Sequence, residues 1–383
     1  MSDGTSGGTS DRVRIGILST ANIARKAVGP AVRACDGTEL VAVGSRDAAR
    51  ARAFADELGV ERAHGSYEAL LDDPEVDAIY VALPNALHET WTVRALQAGK
   101  HVLCEKPLAP TAAACLRMGD AAEAAGRVLM EAFMYRFHPR VLAAVTAVKE
   151  GRVGRPSLVD AAFTFRVGRP DDIRLSTALA GGALLDVGCY TVDAARRLLG
   201  EQPEAVVAVA RFDGDDGGDD GDDGGERRSA EPAAPDEDGA AGRYGVDLET
   251  AGLLRFPSGA IATVRSALTL PRREALEIRG DAGSLRLDRA FLPGAGPTEL
   301  LFEDAAGETS SETVPGKDPY LAMVEAFADR VRGVARPELP ASDAEEAAST
   351  LRILERMAVS ARTHVAPPTH VAPPTPGDGG GVR

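Results

Sequence analysis

The first third of the chain alternates short apolar runs with stretches of helical periodicity. The apolar runs cover 13–18, 40–44, 78–83 and 101–104, and the helical stretches that follow them cover 23–34, 48–58, 88–98 and 111–125. Short apolar runs separated by amphipathic helices are typical of βαβ units. We therefore predict an α/β Rossmann domain with a doubly wound parallel sheet over residues 12–130, after a flexible N-terminus at residues 1–11.

The pattern changes after Gly151. One helical stretch over 182–199 is followed by strand-like segments at 205–211, 248–256, 261–268, 276–280 and 284–287. Gly, Pro and Asp separate these segments, as they do in the hairpins of an antiparallel sheet. We predict a second, α+β domain over residues 131–362, built on a large, mainly antiparallel open sheet.

Two segments depart from both patterns. Residues 213–242 are rich in Asp and Gly, and residues 363–383 repeat Thr-His-Val-Ala-Pro-Pro. Neither segment can bury enough apolar surface to offset the entropy lost on ordering, so we predict a disordered acidic loop and a disordered tail. The Asp clusters raise the alternative of calcium binding, but they lack the ligand spacing and terminal Glu of an EF-hand. We favour a solvated loop and predict no metal site.

Charge and hydropathy narrow the class of partner. The 383 residues carry a formal net charge of −15. Because no basic surface is in excess, we exclude nucleic acid and anionic membranes as partners. No apolar run reaches the roughly 18 to 20 residues of a membrane-spanning helix, and the first residues do not have the pattern of a signal peptide. We expect a cytoplasmic protein that acts on a small molecule.

The residues after the first apolar run predict a dinucleotide-binding turn. Ser19, Ala21 and Ala24 occupy the three small-residue positions of the G-x-G-x-x-G/A register. Small residues at these positions let a helix N-terminus and backbone amides, here including those of Asn22 and Ile23, approach a pyrophosphate. The missing glycines make the motif irregular. Its position in the first βαβ unit is what supports it.

The end of the second strand predicts which dinucleotide is bound. An NAD-specific site places an acidic residue here to bind the ribose hydroxyls. This chain has Ser45 and Arg46 instead, a hydroxyl donor and a guanidinium that suit a 2′-phosphate. We therefore predict NADP as the cofactor, with NAD as the alternative. Asp47 is expected to cap the helix that follows.

Four further motifs occur in a fixed order. The chain reads LPNALH at 83–88, EKP at 105–107, EAFMYRFHP at 131–139 and GGALLDVGCY at 181–190. Together they resemble the Gfo/Idh/MocA oxidoreductases over about residues 12–362. With Tyr190 at the end of its last motif, the sequence resembles the branch that contains glucose-fructose oxidoreductase, NADP-dependent xylose dehydrogenase and dimeric dihydrodiol dehydrogenase. The resemblance implies hydride transfer at a carbon bearing a hydroxyl or carbonyl, and an outer sheet face that forms a homodimer or a higher homo-oligomer.

The catalytic residues implied by this resemblance are Lys106, Tyr190 and Asp186. Oxidising an alcohol requires an acceptor for its proton, and we predict Tyr190, with Lys106 lowering the pKa of the phenol. Asp186 lies four residues before Tyr190 and shares its helix face, where it positions a sugar hydroxyl or Lys106 or serves as a buried structural carboxylate. Gly181 and Gly182 would let the backbone approach the substrate.

The ends of the strands near residues 83 and 105 complete the predicted cofactor site, which comprises Leu83, Pro84, Asn85, His88, Glu105 and Lys106. His88 either contacts the nicotinamide ribose or begins a helix. Glu105 is expected to orient the cofactor or the lysine. Arg136 and His138 either bind substrate or form a structural crossover between the domains.

These motifs predict an NADP-dependent oxidoreductase whose substrate is an aldose such as xylose or glucose. A dihydrodiol dehydrogenase or a ketosugar reductase would use the same residues. A regulator that senses the cofactor without catalysis is an alternative of another class. Such a regulator has no need of the Lys106 and Tyr190 pair, which favours an enzyme.

Overall fold

The first sheet is parallel and doubly wound, as predicted. The computed structural model describes residues 12–213 and 245–363. Six strands in this part of the chain form the sheet: β1 (Val13–Leu18), β2 (Thr38–Gly44), β3 (Arg62–His64), β4 (Ala78–Val81), β5 (His101–Glu105) and β6 (Leu129–Ala132). Their order is β3-β2-β1-β4-β5-β6. The order reverses between β1 and β4, and open α/β sheets bind ligands at such a switch point.

Helices connect these strands: α1 (Gly29–Ala34), α2 (Ala48–Leu58), α3 (Tyr67–Leu71), α4 (His88–Gln97) and α5 (Ala112–Ala125). Asp47 caps α2 as predicted, because its Oδ1 accepts a hydrogen bond from Arg50 N at 2.7 Å. A π-helical turn at Ala24–Val28 precedes α1. The helix that begins at the cofactor turn is therefore irregular in its first half.

The second sheet has eight strands in the described residues. They are β7 (Pro156–Arg166), β8 (Ala205–Phe212), β9 (Asp247–Arg255), β10 (Ile261–Ala267), β11 (Thr269–Gly280), β12 (Gly283–Asp288), β13 (Thr298–Asp304) and β14 (Thr309–Val314). Their order is β14-β13-β12-β11-β7-β10-β9-β8. Only the β7 and β10 pair is parallel among these strands, which confirms a mainly antiparallel sheet.

Four further helices lie in the second half of the chain: α6 (Pro139–Lys149), α7 (Cys189–Leu199), α8 (Pro319–Val331) and α9 (Ala344–Thr363). The carboxyl-terminal helix α9 packs on both halves of the molecule, against β8 and against α5. Glu355 Oε1 of α9 accepts a hydrogen bond from Ala112 N at the start of α5, at 2.8 Å. The last described helix thus links the second sheet to the Rossmann half.

The face of the second sheet that points away from α9 has exposed apolar side chains. Val207, Val209, Leu253 and Ile261 are each more than two-fifths exposed and lie on three adjacent strands, β8 to β10. Val207 and Leu253 are direct cross-strand partners. An apolar patch of this kind is typical of an interaction surface.

Some predicted features fall outside the described residues. These are the flexible start at 1–11, the acidic loop at 213–242 apart from Asp213, and the tail at 363–383 apart from Thr363. None of the described helices is long and apolar enough to cross a membrane. The division into domains at residue 130 stays a prediction.

Candidate active site

Lys106 lies at the carboxyl end of β5, where the parallel sheet opens towards the second half of the chain. The peptide bond between Lys106 and Pro107 is cis. The ammonium Nζ donates to the backbone oxygen of Asp186 at 2.7 Å and to its carboxylate Oδ1 at 3.0 Å. Only 15% of the lysine side chain is exposed. The predicted pairing of Lys106 with Asp186 is therefore present in the structure.

Asp186 is held by two cations. It lies in a π-helical turn at Leu184–Gly188, directly before α7, and such turns often occur at functional sites. Its second oxygen, Oδ2, accepts a hydrogen bond from Arg174 Nε at 2.8 Å. Burial alone would raise the pKa of Asp186, but the charges of Lys106 and Arg174 outweigh burial and lower it. Asp186 is thus an ionised carboxylate between an ammonium and a guanidinium.

Asp186 also acts on the titration of Lys106. Burial alone would lower the pKa of the Lys106 ammonium, but the groups around it, Asp186 foremost and Glu105 among them, outweigh burial and raise it. The lysine therefore keeps its proton at neutral pH. A protonated lysine can donate a hydrogen bond and stabilise negative charge, but it cannot accept a proton.

The predicted activation of Tyr190 is wrong. The Lys106 Nζ atom lies over the face of the Tyr190 ring, 5.2 Å from its centroid, and donates its hydrogen bonds to Asp186. The hydroxyl instead donates to Met134 Sδ at 3.7 Å. Burial raises the pKa of Tyr190 well above its usual value, because 5% of the residue is exposed and aromatic rings surround it. Tyr190 is a protonated phenol in this structure.

The two glycines are needed for packing inside the protein. A Cβ on Gly181 would lie 2.3 Å from the backbone oxygen of Arg174, and a Cβ on Gly182 would lie 2.2 Å from Asp247 Oδ1. Gly182 also has a φ of +112°, a conformation that favours glycine. These glycines make room for internal packing, and the approach of their backbone to a substrate stays a prediction. Asp247 Oδ2 accepts from Leu184 N at 2.7 Å and so anchors the start of the turn that carries Asp186.

The cofactor turn has the geometry of its class despite its missing glycines. Ser19 follows β1 with a φ of +138°, in the region that favours glycine. Its hydroxyl donates to Ala82 O at 2.8 Å and accepts from Ala21 N at 3.1 Å. Two hydrogen bonds therefore hold a strained serine where the first glycine normally stands. Helical residues begin at Asn22, whose first N–H groups have no partner within the helix.

The predicted selectivity residues lie at the end of β2. Ser45 is buried, and its Oγ accepts a weak bond from Asp47 N at 3.4 Å. Arg46 is exposed and reaches Tyr67, whose pKa burial raises and Arg46 lowers. The exposed guanidinium remains accessible to an anionic ligand, whereas the hydroxyl of Ser45 is largely enclosed by its own turn.

The turn after β4 contacts the loop that begins with Lys106 after β5, here called the lysine loop. His88 is fully buried, and its ring nitrogens lie 2.9 Å from Pro107 O and 2.8 Å from Leu83 O. Because both nitrogens face backbone carbonyls, neither is left for a ribose hydroxyl. His88 begins α4 and joins two loops of the site, so the structural alternative describes it. Asn85 Nδ2 donates to Ala180 O at 2.8 Å and links this turn to the second half of the chain.

Glu105 accepts a hydrogen bond from a residue that the sequence patterns did not single out. Tyr80, inside the apolar strand β4, donates its hydroxyl to Glu105 Oε1 at 2.5 Å. Burial raises the pKa of Glu105, against the lowering effects of Tyr80 and Lys106. Arg174 was missed as well, because its loop has no regular pattern and only the fold brings it to Asp186. Neither residue had a sequence signal of its own.

Arg136 and His138 form hydrogen bonds within the protein, which favours the structural alternative over direct binding of substrate. Both are buried, with 1% and 0% exposure. His138 caps α6 by accepting a hydrogen bond from Arg140 N at its Nδ1 atom, at 3.1 Å. Burial lowers the pKa of His138 to about 4, so the ring is neutral. Arg136 pairs with Asp193 on α7, with Nη2 2.7 Å from Oδ1.

Comparison with known proteins places this geometry in a family. Residues 13–133 match the oxidoreductase family with an NAD-binding Rossmann fold, Gfo/Idh/MocA, and residues 141–286 match the Gfo/Idh/MocA C-terminal domain. A relative from Haloferax volcanii, D-xylose 1-dehydrogenase (NADP(+)) 2, is 40% identical over 349 residues, covering 91% of this chain and 97% of that protein.

Two further proteins are similar over most of their length. A dTDP-3,4-didehydro-2,6-dideoxy-alpha-D-glucose 3-reductase from Streptomyces violaceoruber is 37% identical, covering 84% of this chain and 85% of that protein. The crystal structure of a 3-ketoreductase from Actinomadura kijaniata, in complex with NADP and TDP-benzene, is similar with a TM-score of 0.78 and 30% identity. That similarity covers 91% of this chain and 98% of the solved one.

Proposed function

This chain belongs to the Gfo/Idh/MocA family of oxidoreductases, and we propose that Lys106, Asp186 and Tyr190 assist hydride transfer between NADP and a sugar carbon bearing a hydroxyl or carbonyl. The observation that carries the proposal is the position of the Lys106 ammonium, 3.0 Å from Asp186 Oδ1 at the carboxyl end of a Rossmann strand. An enclosed cation at this edge is suited to an oxygen whose negative charge grows during the reaction.

The cofactor turn fits a dinucleotide. The φ of +138° at Ser19 produces the sharp turn that the first glycine normally supplies. The small side chain of Ala21 leaves room for the pyrophosphate to approach the backbone. The N-terminus of the helix from Asn22 would bind the pyrophosphate through Asn22 and Ile23 amides, and Arg46 would bind the 2′-phosphate. NADP supplies the hydride acceptor and donor when bound. Leu83, Pro84 and Asn85 would border its nicotinamide end.

The charges of the site assign roles to its own residues. Lys106 is protonated, so its Nζ would bind the substrate oxygen and favour an alkoxide over a neutral alcohol. Asp186 keeps that ammonium charged and oriented. Tyr190 also keeps its proton at neutral pH and therefore suits donation of a proton to a carbonyl oxygen in the reductive direction. In the oxidative direction the hydroxyl proton would leave to solvent water, because Lys106 and Tyr190 both already hold their own protons. Glu105 lies one residue before Lys106 and would orient it through the chain.

A free aldose is our preferred substrate class. The relative with 40% identity acts on D-xylose with NADP, and similarity to it covers nearly its whole length. Nucleotide-linked ketosugars are the second candidate, because the similar 3-reductase and 3-ketoreductase act on or bind thymidine-linked molecules. A dihydrodiol is the third candidate, because it carries oxygens on two neighbouring carbons as a sugar does and could present them to Lys106.

An absorbance screen at 340 nm tests the proposal. NADP⁺ and NAD⁺ would be offered with aldoses, inositols and diols, and NADPH would be offered with ketosugars. We expect reduction of NADP⁺ by an aldose, abolished by Lys106→Met. Tight binding of NADP without turnover of any substrate would instead support a cofactor-sensing regulator.

We also propose that the outer face of the second sheet joins two copies of the chain. Val207, Val209, Leu253 and Ile261 form an exposed apolar patch that water solvates poorly. A two-fold pairing of this patch would bury it on both copies at once. Val209→Asp with Leu253→Lys should lower the mass in light scattering from that of a dimer or larger oligomer to that of a monomer.

We expect the protein to work in the cytoplasm on its small-molecule substrate.

A further inference from the structure

A buried arginine outside the reacting site connects the two elements that carry the reacting residues. The Arg136 side chain is 0% exposed. Its Nη2 donates to Asp193 Oδ1 at 2.7 Å and its Nε donates to Oδ2 at 3.1 Å, which makes a bidentate pair. On its other side, Nη1 lies 2.9 Å from Glu131 Oε2, an ion pair by distance without the alignment of a hydrogen bond.

Glu131 links this arginine to the lysine loop. Its Oε1 atom accepts a hydrogen bond from Leu108 N at 3.0 Å, two residues after Lys106. Glu131 is 2% exposed and lies on β6, next to the strand that ends before Lys106. A shift of the Arg136 guanidinium would therefore be passed through one carboxylate to the backbone beside Lys106.

Asp193 links the same arginine to the other side of the site. It lies on α7, three residues after Tyr190 and seven after Asp186. Asp186 in turn contacts Lys106, so four contacts and two backbone stretches, 106–108 and 186–193, close into a ring that runs through Lys106, Leu108, Glu131, Arg136, Asp193 and Asp186.

The segment that carries Arg136 also contacts Tyr190 directly. Phe133 packs edge-on against the Tyr190 ring with centroids 4.6 Å apart, and the Arg136 guanidinium lies 4.4 Å from the centroid of Phe133. Met134 Sδ accepts the hydrogen bond from the Tyr190 hydroxyl. Residues 133–136 thus hold α7 at two points, the phenol of Tyr190 and the carboxylate of Asp193.

We propose that Arg136 is a positioning residue for hydride transfer, which fixes the distance between Lys106 and Tyr190 through Glu131 and Asp193. This inference rests on the proposed function, because it concerns the same reacting groups. A buried ion pair usually contributes little net stability compared with an apolar replacement, whereas catalysis falls steeply when reacting groups move by about 1 Å. A role in geometry therefore accounts for these buried charges better than stability does.

Arg136→Lys tests this role, because lysine keeps the charge and removes the bidentate fork. The matched control is Arg62→Lys. Arg62 also makes a bidentate pair, with Nε and Nη2 each 2.9 Å from an oxygen of buried Asp73, and this pair is remote from Lys106. Each variant would be measured for kcat, KM, NADP dissociation constant, Tm and the isotope effect on kcat with substrate deuterated at the reacting carbon.

For Arg136→Lys we expect kcat to fall about 10- to 100-fold, with an NADP dissociation constant within about threefold of the wild type. The isotope effect on kcat should rise, because the hydride step becomes slower relative to product release. Arg62→Lys should change kcat by less than about twofold while lowering Tm. Equal loss of kcat in both variants, or unchanged kcat in Arg136→Lys, overturns the inference.

A second variant covers the case in which Arg136→Lys does not fold. Glu131→Gln keeps an acceptor for Leu108 N and removes the charge facing Arg136, and it should lower kcat with the same rise in the isotope effect. An unchanged kcat in Glu131→Gln then overturns the inference. Failure of the proposed function is distinct from either result, because the wild type itself would then turn over no sugar.

Discussion

Lys106 Nζ and Asp186 Oδ1 lie 3.0 Å apart although 80 positions separate the two residues in the chain. Lys106 follows the fifth strand of the parallel sheet, and Asp186 precedes the helix that packs on the second sheet. The contact thus joins the two halves of the chain at the site. Each residue sets the ionisation of the other, since the pair raises the pKa of the lysine and lowers that of the aspartate.

Removing the carboxylate should change the pH dependence of catalysis. In Asp186→Asn, burial continues to lower the pKa of Lys106, but its main opposing charge is gone. We expect kcat to fall about 10- to 100-fold and the pH at which Lys106 loses its proton to move down. The measurement is kcat against pH from 6 to 10, a range in which the wild-type lysine stays protonated and its loss of a proton should cause no fall in kcat. An Asp186→Asn profile that also shows no fall towards pH 10 would show that Asp186 does not control Lys106.

Reversing the charge at Arg46 should change the choice of cofactor. Arg46 is exposed at the end of β2, where it would pair with a 2′-phosphate. In Arg46→Asp we expect kcat/KM with NADP⁺ to fall about 100-fold or more while the value with NAD⁺ holds or rises. Arg46→Ala should give an intermediate ratio. If the NADP to NAD ratio stays constant across both variants, Arg46 does not read the phosphate.

At position 19, glycine should give a more stable protein than alanine, which is the reverse of the usual order. Ser19→Ala and Ser19→Gly both remove the hydrogen bond to Ala82 O, but only glycine relieves a φ of +138°. We expect Ser19→Gly to be the more stable variant by about 1 kcal/mol in denaturant unfolding, whereas alanine is normally favoured at negative φ. Alanine equal to or better than glycine would mean that the turn is not strained.

Asp247 should make stability fall as pH rises. Burial raises its pKa to about 6, so in the window from about pH 4 to 6 the folded protein binds a proton that the unfolded chain has lost. Asp247→Asn should lack this decrease and be more stable than the wild type at pH 7 by about 1 to 2 kcal/mol. Denaturant unfolding at pH 5 and 7 gives both values.

Asp73→Asn is the matched control for that experiment. Asp73 is also buried, but its hydrogen bond with Arg62 lowers its pKa, so its charge stabilises the fold at neutral pH. Asp73→Asn should therefore lose stability at pH 7, where Asp247→Asn gains it. A loss in both variants would mean that Asp247 is stabilising as a charged group.

Local sequence signals predicted the elements of the first half well, but in the second half they did not predict β7, β13 or the helices α6, α8 and α9. β1 has the bounds 13–18 that its apolar run gave, and the cap at Asp47 is present. Elements with weak local patterns escaped prediction. β3 has three residues, and β14 is a run of exposed polar side chains that only pairing with β13 holds as a strand.

Site residues could be predicted where a motif marked them, but their electrostatics could not. Lys106 and Asp186 meet as expected, whereas the pKa of Tyr190 moves in the direction opposite to the one predicted. The reason is that Phe163 and Phe291, from distant parts of the second half, pack on the phenol ring. The spacing of residues along one helix carries no information about such neighbours.

The Lys106 ammonium is expected to stabilise the charge on the reacting oxygen. Lys106→Met keeps the length of the side chain and removes its charge, and Lys149→Met, at the exposed end of α6, is the control. The decisive measurement is steady-state turnover at 340 nm with NADP⁺ and the best sugar, together with the NADP dissociation constant. We predict that Lys106→Met loses about 100- to 10,000-fold in kcat with NADP affinity retained, and that Lys149→Met matches the wild type. Turnover by Lys106→Met within tenfold of the wild type would contradict the account.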